Sequence, residues 1–252
     1  SKFFLDKKNI ENLPIGLFGD FYSHELSLTL IDTNDFKNLQ TILKNCNIKT
    51  KKILLKSFLK GAYLSDEYPK TDTFYTIEIN SSNSKIFYFE NNSLKFEQKF
   101  KFGFDIILKD ISKITSLSHE TIEKILSKIN SRDEILSEKN IEKEFFVKDH
   151  YRPIKKRLIH QVAFARIEEI SNIILHKNIN LKHYNKNPKV IFLEINNKFK
   201  IENFKDDFKN TFSSNNKFDV KFLNNLIWSD MIKSLSKLVH FGWKKEAIPV
   251  SE

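Results

Sequence analysis

The 252-residue chain is long enough for one large domain or two smaller ones, and its 40% apolar content, with 24 Phe, supports a buried core. A net charge of +10 is compatible with nucleic acid or an anionic membrane, but the basic residues are spread along the chain, so we interpret them as solvated surface. The single cysteine excludes an intramolecular disulfide and is typical of a cytosolic protein, and no apolar run approaches the roughly 20 residues of a membrane span.

The N-terminal quarter contains patterns for two strands and two helices, and residues 1–16 predict no element. Leucines alternate with polar residues between His24 and Ile31, which predicts a half-buried strand. N-cap candidates at 33–35 begin a helix whose apolar face ends at Cys46, so we expect this cysteine in the core. Residues 53–55 predict a short buried strand, and a second helix begins at Ser57.

The central stretch carries the clearest pattern, and we expect the rest of the chain to be organised around it. Strands are predicted at 74–79, 85–89 and 93–102, with a polar turn at 80–84 and a second turn at Asn91 and Asn92. Gly103 then separates the last strand from a helix that begins near Asp105.

The turn at 80–84 allows two interpretations. Its sequence is Asn-Ser-Ser-Asn-Ser, and Asn and Ser dominate ordinary hairpin turns. A turn that binds phosphate needs glycines, because its backbone N–H groups must approach the anion closely. The residues therefore indicate either a plain hairpin turn or a phosphate turn with altered chemistry.

The remaining elements alternate in type. Ser118 is predicted to cap a helix that extends to Ile129, and we expect residues 130–156 to be a mobile surface segment with one strand at 144–147. A long helix is predicted at 157–177, a strand at 189–193 and a turn at Asn196 and Asn197. Phenylalanines every four residues, at 204, 208 and 212, predict another helix, and a last helix covers 228–241. The alternation predicts a mixed α/β fold.

Several kinds of chemistry have no motif in the sequence. Seven scattered His and one Cys do not form a zinc motif, and the chain contains no P-loop, dinucleotide fingerprint or nucleophile elbow. Alternating Lys and Phe at 99–102 is the nearest pattern to a nucleic-acid surface. We prefer to interpret it as a strand with one solvated face.

The order of segments resembles the FtsA family of actin-like bacterial cell-division proteins, from about Ile15 to Gly242. The matching positions, at nearly the family's spacing, are Asn45 and Cys46 before Ile53, Gly61 with Asp66 and Glu67, Gly103 with Asp110, the helix 157–170, and the segment 237–242. The resemblance implies an α/β fold: an actin-like (ribonuclease-H-like) second lobe with a helical insertion, preceded by part of a small α+β subdomain. The implied boundaries are 1–52 for the small subdomain, 53–110 and 189–252 for the sheet, and 111–188 for the insertion. We expect the chain to be a fragment that lacks the first lobe.

The resemblance also implies ATP with Mg²⁺ as cofactor, at a site that this chain has altered. The positions that match the family's nucleotide contacts are Asn80, Ser81, Ser82, Asn83, Ser84, Gly103, Glu123, Asn196 and Asn197. Glu78 stands where the family has the Asp that organises Mg²⁺, and its carboxylate lies one methylene farther out. Both glycine turns are replaced by Asn and Ser, and Leu126 stands for a lysine. We therefore expect weak or lost ATP binding.

The partner implied by the resemblance is the acidic C-terminal peptide of FtsZ, bound on the helical insertion. Arg166 matches the helix arginine of that site, Lys156 lies at a second basic position, and Glu169 lies beside Arg166. An ion pair between Arg166 and Glu169 at i,i+3 is the structural alternative. The resemblance further implies self-association into actin-like filaments, contacts with other division proteins, no nucleic acid, and a place on the cytoplasmic face of the inner membrane at the division site, reached through a membrane segment absent here.

Two other functions are kept as alternatives to this adaptor. One is an actin-like or sugar-kinase-like ATPase with real turnover, which the altered turns and the missing Asp oppose. The other is a basic nucleic-acid-binding domain, for which affinity should fall steeply with salt.

Overall fold

The structure is a computed structural model, and it describes most of the chain. The described residues are 2–10, 14–25, 30–50, 53–128, 135–146, 149–184, 188–196, 202–213, 217–223, 229–230 and 232–237. None of the described helices is both long enough and apolar enough to cross a membrane.

A small antiparallel sheet begins the chain. Its strands are β1 (Lys2–Leu5), β2 (Lys8–Ile10) and β3 (Tyr22–Glu25), in the order β2-β1-β3. The β1–β2 turn has Asp6 and Lys7 at positive φ of 48° and 68°, the backbone that tight hairpins require. The sequence predicted neither β1 nor β2. The strand predicted at 24–31 begins at residue 22, and residues 26–29 lie outside the described part. Its predicted end is wrong, because Leu30 and Ile31 are exposed and form no strand.

Helix α1 (Thr33–Asn45) forms where it was predicted, but it has no buried residue. Asp32 is its N-cap, and its carboxylate accepts hydrogen bonds from the N–H groups of Asn34 and Asp35 at 2.8 and 3.2 Å. The prediction that Cys46 lies in the core is wrong, because this cysteine is exposed. An amphipathic pattern buries a face only where another element covers it.

Helix α2 (Lys56–Glu67) follows a segment without regular structure. The short buried strand predicted at 53–55 is wrong: these residues form no strand, and Ile53 is exposed. Lys60, Gly61 and Leu64 are the buried residues of α2, and Gly61 allows the helix to approach the ring of Phe89.

The main sheet contains five strands in the order β6-β5-β4-β7-β8. Their bounds are Phe74–Ile79 for β4, Ser84–Glu90 for β5, Ser93–Phe100 for β6, Val190–Ile195 for β7 and Asp219–Phe222 for β8. The pairs β4–β5 and β5–β6 are antiparallel, whereas β4–β7 and β7–β8 are parallel. The β5–β6 turn places Asn91 and Asn92 at positive φ. The predicted mixed α/β fold is therefore confirmed, and β8 was not predicted.

Four helices belong to the core on one face of this sheet. They are α3 (Asp105–Thr115), α4 (His119–Lys128), α5 (Lys156–Ser171) and α6 (Glu202–Ser213), and a π-helical segment (Asn172–His176) continues α5. Their apolar residues, including Ile111, Ile167 and Phe208, form one hydrophobic cluster with Tyr75 and Ile77 of β4. The helices predicted to begin near 105 and at 118, and the helix predicted from Phe204, Phe208 and Phe212, are confirmed. The helix predicted at 157–177 is also confirmed, with its last turn π-helical.

Alternate residues of β4 point to the opposite face, where α2 packs. Phe74, Phe87, Phe89 and Phe192 form a second cluster there with Leu64 of α2. β4 is thus buried on both faces, which explains its continuous apolar sequence.

Two predicted elements differ from, or extend beyond, the described structure. The strand predicted at 144–147 is wrong, since Lys143–Phe145 forms a 3₁₀ turn; Val147 lies outside the described residues. The last helix, predicted at 228–241, is helical at 229–230 and 232–237, and the rest of it also lies outside. The three-part division of the chain stays a prediction, and residues of 111–188 share one hydrophobic cluster with the sheet.

Candidate functional site

The turn between β4 and β5 is closed by its own hydrogen bonds. The Asn80 N–H donates to the Asn83 carbonyl at 2.9 Å, and the Asn80 side-chain amide donates to the Asn83 side-chain oxygen at 2.9 Å. None of the residues 80–84 has a positive φ. The turn therefore adopts a backbone that Asn and Ser accommodate without strain, and glycine is not needed for its shape.

The same turn caps helix α3. A helix N-terminus has four N–H groups without an acceptor inside the helix, and they are what bind an anion there. In this protein Phe104 N–H donates to the Asn80 carbonyl and Asp105 N–H to the Ser81 carbonyl, both at 2.9 Å. The next two N–H groups donate to the Gly103 and Phe104 carbonyls at 3.3 and 2.9 Å. All four groups thus have protein acceptors, and an anion would have to displace the turn.

Gly103 allows the turn at 80–84 to lie close to the start of α3. A Cβ at this position would lie 2.6 Å from the Ser81 carbonyl oxygen and 2.8 Å from the Asn83 nitrogen, and nearer still to the Asn80 carbonyl oxygen. Ser84 is buried, and its hydroxyl donates to the Phe102 carbonyl at 2.8 Å. The glycine predicted as a nucleotide contact therefore lies against the turn.

The structure brings Asn196 to the turn from the end of the neighbouring strand β7, which is distant in sequence. Its N–H donates to the Ile79 carbonyl at 2.8 Å, and its side-chain amide donates to the side-chain oxygen of Asn80 at 3.1 Å. Hydrogen bonds thus join the side-chain amides of Asn83, Asn80 and Asn196 at the carboxyl ends of β4 and β7. Asn197 lies outside the described residues. Ser82 is exposed at the tip of the turn.

Glu78 lies on the other face of β4, against α2. Its carboxylate accepts a hydrogen bond from the ammonium of Lys60 at 2.8 Å, and the same ammonium bonds to Glu194. Lys60 is 2% exposed. Lys60 and Glu194 were not predicted as site residues. The signal for them in the sequence is a charged residue at a core-facing position of a helix and of an apolar strand.

The residues around Glu78 do not fit a bound Mg²⁺. Magnesium requires several oxygen ligands in octahedral geometry, and here the Glu78 and Glu194 carboxylates are held by a lysine. Among the described residues, no group of three or more His, Cys, Asp or Glu is placed to hold a metal ion.

Glu123 is not joined to the turn. It is half-buried on α4, and none of the hydrogen bonds or ion pairs of the described residues connects it with residues 80–84. Helix α4 is instead fixed through Ser118, whose N–H and hydroxyl donate to Asp149 at 2.9 and 2.8 Å. Hydrogen bonds from the Thr121 hydroxyl and the Ser118 N–H hold the pKa of Asp149 below its usual range.

The residues proposed for partner binding lie on α5 and are engaged in ion pairs. Arg166 bonds through Nε to Asp110 of α3 and through Nη1 to Glu169 at 2.5 Å, so the predicted i,i+3 pair is present. Lys156 is 2% exposed, and its ammonium donates to Glu142 at 2.8 Å, which holds the pKa of this glutamate below its usual range. Arg166 remains 25% exposed and Glu169 52% exposed.

Comparisons with known proteins identify the fold. No protein-family model matches the chain, and no curated protein matches it. Among solved structures, the chain is similar to MreB5 of Spiroplasma citri bound to ADP, with TM-score 0.52 and 12% identity over 86% of this chain and 68% of that one.

Two other solved structures match the chain with lower TM-scores. Ethanolamine utilization protein EutJ from Carboxydothermus hydrogenoformans has TM-score 0.45 and 12% identity over 69% of this chain, which spans only 53% of EutJ. The archaeal actin homolog Ta0583 has TM-score 0.45 and 10% identity, with 74% of this chain and 55% of that one covered. The protein has the actin-like α/β fold, as the resemblance implied.

Proposed function

We propose that the protein is an actin-fold adaptor of FtsA type, which links FtsZ filaments to the cytoplasmic face of the inner membrane at the division site. In this proposal the lobe works by docking a partner and by self-association into filaments with copies of itself and other division proteins. The nucleotide site is degenerate, and the proposal assigns no reaction to the chain.

The observation that supports docking over catalysis is the closure of the turn onto α3. Phosphoryl transfer depends on phosphates and Mg²⁺ held in fixed positions. Here the N–H groups of Phe104 and Asp105 donate to the carbonyls of the turn at 2.9 Å, and Glu78 is paired with Lys60. The sheet and helices of the actin-like fold are present, while the groups that would bind phosphate and metal are bonded to other residues.

The proposed docking surface is the exposed side of α5 around Arg166. The acidic FtsZ peptide would compete with Glu169, the more exposed of its two carboxylate partners, for the guanidinium. Lys156 is buried, so its role in this proposal is to fix the start of α5 through Glu142.

Fluorescence anisotropy with a labelled FtsZ C-terminal peptide tests this proposal. Arg166→Gln should weaken binding about five- to tenfold, since a partly buried charge contact is lost. Arg157→Gln is the matched control, because Arg157 lies on the same helix in a more exposed pair with Glu138. Equal affinity of wild type and Arg166→Gln would reject this surface, and no binding by the full-length protein would reject the function.

An actin-like ATPase with turnover is the second candidate, because the MreB5 structure with this fold contains ADP. For this chain we expect weak or no ATP binding. Calorimetry that gives micromolar affinity for ATP, together with hydrolysis by the intact protein, would favour the ATPase and contradict the adaptor with a degenerate site.

A further inference from the structure

A buried lysine joins α2 to carboxylates at the ends of two strands. The Lys60 ammonium donates to Glu78 at 2.8 Å and also bonds to Glu194. Glu78 and Glu194 are partners in the parallel register of β4 and β7, so their side chains leave the same face of the sheet. Their side chains are 14% and 11% exposed, and water therefore screens the cluster only weakly.

Two carboxylates in this position need a cation. Neighbouring strands are about 4.8 Å apart, and like charges at this spacing repel more strongly where water is excluded. A divalent ion or an ammonium can supply the counter-charge, and an ammonium brings three donors to the carboxylate oxygens. A buried ammonium is in turn unfavourable unless it is paired. The lysine and the two glutamates therefore depend on each other.

We propose that Lys60 is a built-in counter-cation, whose ammonium holds Glu78 and Glu194 in place of a divalent ion. The stability of the sheet at the carboxyl ends of β4 and β7 is then independent of Mg²⁺. The three charged groups lie beside the turn that follows Ile79, so they fix α2 against the sheet at the end of β4 where that turn lies.

Thermal unfolding of the whole chain with and without Mn²⁺ tests the proposal, and Mn²⁺ also allows binding to be counted by electron paramagnetic resonance. The wild-type midpoint should not change with Mn²⁺. Lys60→Met should unfold at a lower temperature and recover about 3–6 °C when Mn²⁺ exceeds its Kd about tenfold, because the uncovered carboxylates now bind the ion. The matched control is Lys60→Met with Glu194→Gln, which should neither bind Mn²⁺ nor recover.

Saturable Mn²⁺ binding by the wild type that is lost in Glu78→Gln would overturn the proposal, as would a folded Lys60→Met variant that does not bind Mn²⁺. If Lys60→Met does not fold, nuclear magnetic resonance of the ¹⁵N-lysine wild type decides. The Lys60 ammonium signal, assigned by its loss in Lys60→Arg, should be protected from solvent exchange and unchanged by Mg²⁺. A signal that is unprotected, or that Mg²⁺ shifts, contradicts a counter-cation.

Discussion

Replacing Gly103 with alanine tests whether the turn and α3 form one packed unit. The added Cβ would lie 2.6 Å from the Ser81 carbonyl oxygen, whereas ordinary contact begins at 3.4 Å, so this oxygen must retreat by about 0.8 Å, the difference between the two. The Ser81 carbonyl accepts the Asp105 N–H at 2.9 Å, and such a shift lengthens that bond beyond hydrogen-bonding distance. The Asn80 carbonyl, which accepts the Phe104 N–H, lies even nearer to the new atom.

The expected loss of stability follows from these contacts. Two backbone hydrogen bonds contribute about 0.5–1.5 kcal/mol each, and overpacking a buried position costs about 1–3 kcal/mol. Gly103→Ala should therefore reduce the free energy of unfolding by about 2–6 kcal/mol. Urea denaturation followed by circular dichroism measures it, and Ser82→Ala is the control, since Ser82 is exposed at the tip of the same turn. A Gly103→Ala protein within about 0.5 kcal/mol of wild type would refute the close packing of the turn on α3.

Three further results are expected. Asp149→Ala should reduce the free energy of unfolding by about 1 kcal/mol in urea denaturation, because Asp149 accepts two hydrogen bonds from Ser118 at the start of α4; an unchanged midpoint would contradict this. Folding lowers the pKa of Asp149, so this carboxylate stabilises the folded protein above its unfolded pKa, and the stabilisation is lost as pH falls through the folded pKa. Asp149→Asn should therefore show a shallower acid dependence of the free energy of unfolding than wild type. Burial raises the pKa of Tyr75 to about 12, so its contribution is complete below the unfolded pKa of about 10 and is lost as pH rises toward 12. Tyr75→Phe should flatten that alkaline loss in urea titrations between these pH values, and an equally steep loss in both proteins would exclude Tyr75 as its source.

Strands with strong apolar alternation or continuous apolar sequence could be predicted from the sequence. β4 was predicted with its observed bounds, and β7 was placed within two residues, because both are central strands buried on two faces. β8 has only Asp219–Phe222 and carries charges, so it has too few apolar residues for a pattern to be recognised. The run at 53–55 has the apolar residues of a strand but no neighbouring strand to pair with in the described sheets.

Burial was harder to predict than secondary structure, because it depends on what covers a face. Cys46 follows an amphipathic helix and is nevertheless exposed, since α1 has no buried residue. Lys60 shows the reverse error: a lysine on a helix is ordinarily interpreted as solvated, yet it is 2% exposed. Its partners are 18 and 134 residues away in sequence, and only the fold brings them together.

The candidate site could be located but not characterised from residue types. The absence of glycine at 80–84 indicated changed chemistry, but no residue of this turn has a positive φ, which occurs at Asn91 and Asn92 instead. The backbone of the turn is ordinary, so side-chain type alone does not prevent an approach by phosphate. What opposes it is the direction of the hydrogen bonds: carbonyl groups of the turn face the N–H groups of α3, and those donors would be the ones an anion needs. A nucleotide could reach the N–H groups at the start of α3 only if the turn moved away from Gly103. Substitutions that introduce glycines at 80–84 leave the contact between the turn and Gly103 in place.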